Sequence, residues 1–300
     1  MAHPVTAWRL LAIAFVAAAC YGQAVTNGDD DPTAAQQAVP AVPAPARPLN
    51  DSSVAAKGAK EDAFTIEEEG AKNTTDNRFV FYSKGKMISP WHEIPLFADD
   101  GNLNFIVEIP KETTAKWEVN THDVGNPIKQ DITSKGKLRF YPYNIHWNYG
   151  LLPQTWEDPG IKNAELGNIT GDHDPIDVVE IGSAQLETGG VYKVKPLGVL
   201  AMIDEGELDW KVIAINIDDP KAAMVNDCAD IEKVFPGEFQ KIVEWFRDYK
   251  IPDGKNATKF GYNGVCKDEA FTMNVIKETH EAYVHLKSGA RPNTDELSLI

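Results

Sequence analysis

Three aspartates lie within six residues of one another at the entrance of a predicted strand. Asp172, Asp174 and Asp177 belong to the segment GDHDPID, and the strand-like run VVEI follows directly. Carboxylates held this close repel one another and raise each other's pKa unless a cation lies among them. Oxygen ligands of this kind favour Mg²⁺. The segment is therefore a candidate magnesium site, although a solvated acidic turn has the same composition.

A second acidic segment, DEGELD, lies between two predicted strands. It contains Asp204 and Asp209, and Lys211 follows two residues later. A short hairpin loop would bring the two carboxylates to one site, and Lys211 would share the strand face of Asp209 because side chains alternate along a strand. The alternative is an exposed hairpin tip with no chemical role.

Further charged and phenolic residues could complete a site for a phosphate-containing ligand. Glu108 ends a strand-like run, and Lys116 and Glu118 share one face of the predicted strand AKWEV. An ordinary surface pair is the alternative for these two. The other candidates are spread along the chain and are Arg139, Tyr149, Tyr249 and Lys250.

The elements that must position these residues are short strands followed by helices. Strand-like runs separated by Gly, Pro, Asn and Asp begin near Phe64. Apolar residues at helical spacing predict helices over Glu238–Lys250 and about Glu269–Leu286. Strands followed by helices predict an α+β domain with a β-rich, barrel-like core. The predicted strands include NRFVFYS, NFIVEIP, AKWEVN, KLRFYP, DVVEIG, VYKVKPLGVLAMI and WKVIAINI.

The first 62 residues differ from the rest of the chain. Residues 1–24 contain an apolar run of about 11 residues, which is typical of a secretory-type signal and too short to span a bilayer. Residues 25–62 are rich in Ala, Pro, Asp and Gln and are predicted to form a disordered linker or transit extension. The sequence thus predicts a catalytic domain over 63–300 and a soluble mature protein with no membrane attachment.

Charge and cysteine content exclude several classes of function. The formal net charge of −16 argues against nucleic acid as a partner, because nucleic-acid binding needs a basic face. The chain has three cysteines, of which Cys228 and Cys266 lie in the predicted domain. They could pair in an oxidising compartment, but we expect two unrelated free thiols. No cysteine motif for catalysis or zinc binding is present.

Six segments in register resemble the family I soluble inorganic pyrophosphatases, over about residues 64–290. They are EIP…AKWEV, KGKLRF, WNYGLLPQTWEDP, GDHDPIDVVEIG, LAMIDEGELDWKVIAI and WFRDYKIPDGK. The resemblance implies an α+β fold with a five-stranded, OB-like barrel and flanking helices. It also implies hydrolysis of pyrophosphate to two orthophosphates by a metal-activated water, with several Mg²⁺ ions per active site. The segments YPYNIHWNYGLLPQTW and ELSL are most similar to the plastid branch of plants and algae.

The same resemblance assigns expected roles to the candidate residues. Asp174 is the expected proton acceptor, and Asp177 and Tyr149 complete the expected catalytic set. The expected metal ligands are Asp172, Asp177 and Asp209 for the activating ions, with Glu118 and Asp204 for the ion that arrives with substrate. The expected substrate-binding residues are Lys116, Arg139, Tyr149, Lys211, Tyr249 and Lys250. Glu108 matches a family carboxylate near the metals and receives no role.

The chain departs from the family pattern at one position. Many members carry a second pocket tyrosine four residues before the one that matches Tyr149, and this chain has Ile145 there. The corresponding substrate hydrogen bond is therefore missing or supplied by a neighbour, for which Tyr143 and His146 are the candidates.

Several alternatives stay open at this point. A metal-dependent phosphohydrolase of nucleotides or polyphosphate would use similar residues, and a catalytically silent binding subunit could keep the fold. Localisation in a plastid through a secretory-type signal is expected, with secretion as the alternative because Asn73, Asn168 and Asn256 lie in glycosylation sequons. The sequence is compatible with a monomer or a homodimer.

Overall fold

The computed structural model describes residues 64–300; the predicted presequence, residues 1–24, and the predicted linker, residues 25–62, lie outside the described residues. The strands are β1 Phe64–Glu69, β2 Arg78–Ser83, β3 Lys86–Ile88, β4 Leu103–Ile109, β5 Thr113–Ala115, β6 Trp117–Val119, β7 Ile128–Gln130, β8 Phe140–Ile145, β9 Asn148–Leu151, β10 Lys162–Asn163, β11 Ile169–Thr170, β12 Asp177–Glu180, β13 Val191–Asp204, β14 Glu207–Asn216 and β15 Lys259–Phe260. The α-helices are α1 Pro90–Glu93, α2 Cys228–Val234, α3 Glu238–Asp248 and α4 Glu269–Ser288, and short 3-10 helices cover Ala222–Met224, Ile251–Asp253 and Gly261–Gly264.

Five strands form a closed ring. The order is β14-β12-β9-β4-β13, and β13 pairs again with β14 to close the ring. The pair β12–β14 is parallel, and the other pairs of the ring are antiparallel. The prediction of an α+β fold with a five-stranded, OB-like barrel is confirmed.

The longest hairpin of the ring turns at Glu205 and Gly206. Both residues have positive φ, 50° and 106°, as a two-residue hairpin turn with the twist of its strands requires. The turn sets a register in which Asp204 faces Glu207 and Met202 faces Asp209. The predicted hairpin is thus present, with the acidic residues at its closed end.

Alternate residues of the ring strands pack on opposite sides. Val178, Val199 and Val212 belong to an apolar cluster with Val275 and Ile276 of α4. Their strand neighbours pack with α3 in a second cluster, which includes Val179, Leu200, Ile213, Ile242 and Phe246. Burial of each such side chain contributes about 1.5–3 kcal/mol, so both helices are held firmly against the ring.

A second sheet lies beside the ring and carries one side of the candidate site. Its order is β1-β2-β7-β6, with β3 paired to β2. A third apolar cluster joins this sheet to the rest of the domain and contains Phe81, Trp91, Ile128, Trp156 and Leu286. The packing places β6, the strand of Glu118, next to β4 of the ring.

The two main helices end at slightly different residues from those predicted. Helix α3 ends at Asp248, two residues before the predicted Lys250, and a 3-10 turn that contains Pro252 follows. Proline lacks the N–H that would continue the helical hydrogen bonds. Helix α4 extends to Ser288 and is capped by Gly289, whose φ of 78° ends the helix. Within residues 64–300, no helix has the length and apolar character that crossing a membrane requires.

Cys228 and Cys266 form a disulfide, so the expectation of two free thiols is wrong. Their Cα atoms lie 6.1 Å apart, although 38 residues separate them along the chain. The two sulfur atoms meet over Gly198, where β13 has a bulge. A Cβ atom at position 198 would overlap both sulfurs, and this meeting point on a third segment is not visible in cysteine spacing.

Candidate active site

Three neighbouring strands of the ring bring Tyr149, Asp177 and Lys211 together. Asp177 opens β12 and faces Lys211 of β14 directly. The Lys211 ammonium donates hydrogen bonds to the Tyr149 hydroxyl, at 2.8 Å, and to the carboxylates of Asp177 and Asp209. Burial alone would lower the pKa of Lys211, but the charges of Asp177 and Asp209 more than offset it and raise the pKa. Lys211 is therefore a buried cation.

The backbone at His173 positions the aspartates on either side of it. His173 has a φ of 79°, a left-handed conformation that costs about 1–3 kcal/mol for a non-glycine residue. Two hydrogen bonds hold it there: its N–H donates to the Glu157 carbonyl at 3.1 Å, and its carbonyl accepts from the Trp156 indole at 2.9 Å. The strained residue thus separates Asp172 and Asp174 in a fixed arrangement.

Asp172, Asp174, Asp177 and Asp209 line one part of the cleft, which we call the acidic wall, and Asp172 and Asp174 do not ionise freely there. Burial, and then the charges of Asp174 and Asp177, raise the pKa of Asp172 to about 8. Asp174 lies at the open side of the cleft, yet the surrounding protein atoms and the charges of Glu118 and Asp177 raise its pKa to about 7. A cation in the cleft would favour the ionised forms.

Glu157, which sequence reasoning missed, lies against two carboxylates of the site but does not line the cleft itself. One of its carboxylate oxygens accepts a hydrogen bond from the backbone N–H of Trp210 at 2.9 Å. The other oxygen is buried without a partner among residues 64–300. Ligand atoms of Glu157, Asp172 and Asp209 lie within 4.8 Å of one another. Burial and the charges of Asp172 and Asp209 raise the pKa of Glu157 well above its usual range. An orphaned oxygen in an all-oxygen set fits a hard divalent cation.

Lys116 and Arg139, which we call the basic wall, are both bound by Asp131. Sequence reasoning also missed Asp131. One oxygen of Asp131 accepts from the Lys116 ammonium at 3.0 Å and from the Arg139 guanidinium at 2.8 Å. Lys116 also contacts Glu118. Because Asp131 touches both cations, it keeps them side by side at the cleft.

Lys250 and Tyr249 enter the cleft from the end of α3. The Lys250 ammonium donates to Asp204 at 2.6 Å, which ties this helix end to the β13–β14 turn. Tyr249 caps α3 and is largely buried, and burial, followed by the charge of Asp204, raises the pKa of its hydroxyl. The hydroxyl is therefore a neutral donor.

Glu108 contacts the strand that carries Glu118. It is 3% exposed, and its carboxylate accepts a hydrogen bond from the Val119 N–H at 2.6 Å. Burial and the charge of Asp177 raise its pKa well above the usual range. Glu108 thus fixes β6 against β4 and with it the position of Glu118.

Most of these residues surround one cleft with a cavity of about 150 Å³, and Asp131 and Glu157 are not part of its lining. All the residues predicted for the site line it, which are Lys116, Glu118, Arg139, Tyr149, Asp172, Asp174, Asp177, Asp204, Asp209, Lys211, Tyr249 and Lys250. Carboxylates that can hold metal ions and cations that can bind phosphoryl oxygens line the same cleft, which suits a phosphate-containing anion that binds together with metal ions.

The two neighbours named as candidates to compensate for Ile145 do not line the cleft. Tyr143 is 37% exposed, and the His146 ring bonds to Glu112 at 3.0 Å on the surface. Ile145 itself is fully buried in the core. The additional tyrosine that lines the cleft is Tyr141, which sequence reasoning did not consider.

Comparison with known proteins identifies the family. The family model described as inorganic pyrophosphatase matches residues 105–284. This chain belongs to the inorganic pyrophosphatase family. Soluble inorganic pyrophosphatase 1, chloroplastic, of Chlamydomonas reinhardtii is 64% identical over 88% of this chain and 93% of its own length. Soluble inorganic pyrophosphatase 6, chloroplastic, of Arabidopsis thaliana is 57% identical over 74% of each chain.

Solved structures of inorganic pyrophosphatases have the same fold. An N-terminally truncated vacuolar soluble pyrophosphatase of Trypanosoma cruzi, solved in complex with PPi, is 42% identical and covers 80% of this chain and 97% of its own, with a TM-score of 0.75. The predicted membership of family I and the similarity to the plastid branch are confirmed.

Proposed function

We propose that this chain hydrolyses inorganic pyrophosphate to two orthophosphates and that Mg²⁺ is its cofactor. The observation that carries the proposal is a single cleft that combines the cations Lys116 and Arg139 with the carboxylates around Asp177. Membership of the inorganic pyrophosphatase family supports the reaction, and the PPi complex of the Trypanosoma cruzi relative supports the substrate.

The carboxylates divide into two groups as proposed metal ligands. Asp172, Asp177 and Asp209 would hold the activating ions, and Glu118 and Asp204 would hold the ion that accompanies the substrate. Bound Mg²⁺ would supply charge neutralisation and a water of lowered pKa. The unpartnered oxygen of Glu157 adds a further acceptor to the first group.

The protein's own groups would bind the substrate and accept a proton. Asp174 would take the proton of the attacking water, and its pKa of about 7 suits a general base at neutral pH. Lys116, Arg139, Lys211 and Lys250 would bind phosphoryl oxygens by charge-assisted hydrogen bonds. Tyr149 and Tyr249 would add neutral donors, and Tyr149 is held in place by Lys211. No phosphoenzyme is needed, because water attacks phosphorus directly.

Phosphate release from purified full-length protein tests this proposal. We expect release from pyrophosphate that requires Mg²⁺ and stops with a chelator, and little release from ATP or tripolyphosphate. Asp174→Asn should lower kcat by about 10²–10⁴-fold, because it removes a general base, and leave Mg²⁺ binding nearly intact. Asp100→Asn, at a surface pair with Lys193, is the matched control.

Each contrary outcome of this assay has a definite meaning. Faster release from ATP or tripolyphosphate would favour a phosphohydrolase of nucleotides or polyphosphate. Absence of release from every substrate would indicate a catalytically silent binding subunit. Near wild-type turnover of Asp174→Asn would refute the assignment of the base.

The proposed location is a plastid that the chain enters through a secretory-type signal. The two chloroplastic relatives support the plastid, and the apolar run within residues 1–24 supports the route. There the enzyme would remove pyrophosphate made by biosynthesis, so that the reactions that release it run forward. The candidate residues all come from one chain, so the proposed chemistry is the same for a monomer or a homodimer.

A further inference from the structure

Tyr141 is held rigidly at the wall of the cleft. It lies on β8, is 7% exposed, and its ring packs edge-on against Trp245 and Tyr249 of the α3 segment, with centroids 4.9 and 5.7 Å away. The Trp245 indole donates to the Asn144 carbonyl at 2.9 Å, which ties α3 to β8. The position of the Tyr141 ring is therefore fixed from two sides.

The hydroxyl of Tyr141 has no hydrogen-bond partner among residues 64–300 and is not one of the buried polar atoms, so it is accessible to a molecule in the cleft that this residue lines. Burial raises its pKa, so that it stays protonated and can donate. The charges of Lys116, Lys211, Asp177 and Arg139 act on it, which places it near three cations and one carboxylate of the cleft. A donor that is unused in this surrounding is suited to an anionic oxygen of a bound ligand.

The neighbouring residues of β8 show that this arrangement is specific to Tyr141. Ile145, on the same strand, is fully buried and offers no polar group. Tyr143 packs edge-on against the same Trp245, with centroids 5.9 Å apart, but it lies outside the cleft and is 37% exposed. Tyr141 is thus the tyrosine of β8 that can reach a molecule in the cleft.

We propose that Tyr141 is a substrate-binding residue whose hydroxyl donates a hydrogen bond to a phosphoryl oxygen of pyrophosphate, beside Lys116 and Arg139. The inference rests on the proposed function and adds a contact that the sequence pattern does not contain. A neutral donor at this point stabilises the anion without adding another positive charge beside Lys116 and Arg139. It would also supply a tyrosine hydrogen bond that Ile145, on the same strand, does not provide.

The test compares Tyr141→Phe with Tyr143→Phe in the full chain. Phenylalanine keeps the ring contacts, so both variants should unfold at the wild-type temperature. We expect Tyr141→Phe to lower kcat/KM for pyrophosphate at saturating Mg²⁺ by about ten- to a hundredfold, because it removes a hydrogen bond to a charged group. Tyr143→Phe should stay within about twofold of the wild type, as expected for a surface substitution.

A second measurement separates this inference from the proposed function. Inorganic phosphate with Mg²⁺ should raise the unfolding temperature of the wild type and of Tyr143→Phe more than that of Tyr141→Phe, whether or not the protein turns over pyrophosphate. Equal phosphate stabilisation and equal kcat/KM for Tyr141→Phe and wild type would overturn the role of Tyr141. A wild type that releases no phosphate would refute the proposed function alone, and the stabilisation measurement would still decide the role of Tyr141.

Discussion

Asp172 and Asp174 show how the site is prepared for a cation. In the absence of metal, Asp172 is mostly protonated at neutral pH and Asp174 is about half protonated, because the surrounding protein and neighbouring charges raise their pKa to about 8 and about 7. The buried Lys211 compensates part of the negative charge but is already shared between Asp177 and Asp209. A divalent cation must therefore displace protons when it binds, which makes metal affinity depend on pH.

The metal-free protein should become less stable as pH rises from about 6.5 to about 8.5. Unfolded aspartates have a pKa near 3.9, so the folded state binds more protons than the unfolded state until Asp172 and Asp174 have ionised. His92, whose folded pKa is lowered to about 4, acts in the opposite direction but only up to about pH 6.5. Unfolding temperatures in chelator and in Mg²⁺ at both pH values test this.

The rise in unfolding temperature caused by Mg²⁺ should be larger at the higher pH. The carboxylates whose mutual repulsion Mg²⁺ offsets are fully ionised only at that pH. The double variant Asp172→Asn with Asp174→Asn is the control and should show a flatter pH dependence. A metal-free unfolding temperature that increases across this window would contradict the account.

At the residue scale, predictability depended on whether a side chain's partners are close in sequence. Asp172, Asp174 and Asp177 were found because their crowding is visible in six residues. Asp131 and Glu157 acquire their roles only through distant contacts, with Arg139 and Lys116 in one case and with Trp210 in the other. No spacing rule indicates such contacts, so these two residues appeared only in the structure.

At the element scale, the segment from Cys228 to Cys266 is closed by the disulfide. It contains α2, α3 and the residues Tyr249 and Lys250, which enter the cleft from the helix end. Both sulfurs lie against Gly198 at the bulge of β13, so the disulfide joins the two ends of this segment to each other beside the ring. The segment that carries α3, Tyr249 and Lys250 is therefore a covalently closed loop.

Reduction of this disulfide by a dithiol should destabilise the domain and weaken substrate binding. Closing a loop of 38 residues lowers the entropy of the unfolded chain and contributes about 4 kcal/mol. We expect the free energy of unfolding to fall by about this amount, and KM to rise as Tyr249 and Lys250 become less ordered. Denaturant unfolding and initial rates, with and without dithiothreitol, measure both effects.

The double variant Cys228→Ser with Cys266→Ser is the control for the disulfide. It should resemble the reduced wild type and should not respond to dithiothreitol. A wild type whose unfolding and KM are the same with and without the reductant would contradict the role of the disulfide.

Patterns among residues close in sequence predicted the hairpin and both long helices. Elements whose formation depends on pairing with distant strands were not predicted. The Glu205–Gly206 turn and the apolar spacing of α3 and α4 are properties of adjacent residues. Strand β9 has four residues and was not predicted, because its burial comes from pairing with β4 and β12. Which tyrosine of β8 faces the cleft depends on its irregular pairing with β5, which the sequence does not show.

At the scale of the whole molecule, the candidate chemistry lies between Glu108 and Lys250, well after the first 62 residues. We therefore assign those residues a role in targeting and none in catalysis. The predicted division into a presequence, an extension and a catalytic domain remains a proposal. It separates the question of where the protein works from the question of what it does.

A fluorescent protein fused to residues 1–62 should accumulate in the plastid of a cell that reaches this organelle through its secretory system. The apolar run in residues 1–24 is the kind of segment that the secretory machinery reads, and residues 25–62 would then direct import. Fluorescence imaging measures the outcome. A fusion of residues 25–62 alone is the control and should stay in the cytosol, and a purely extracellular signal from the longer fusion would refute the plastid location.

Ring closure also determines when the protein can first act. Tyr149, Asp177 and Lys211 lie on β9, β12 and β14, and the ring closes through pairs between strands far apart in the chain, such as β4 with β13. Such contacts form late because long loops must close first. On the proposed route across membranes, the nascent chain would therefore carry no hydrolytic activity until it has finished folding at its destination.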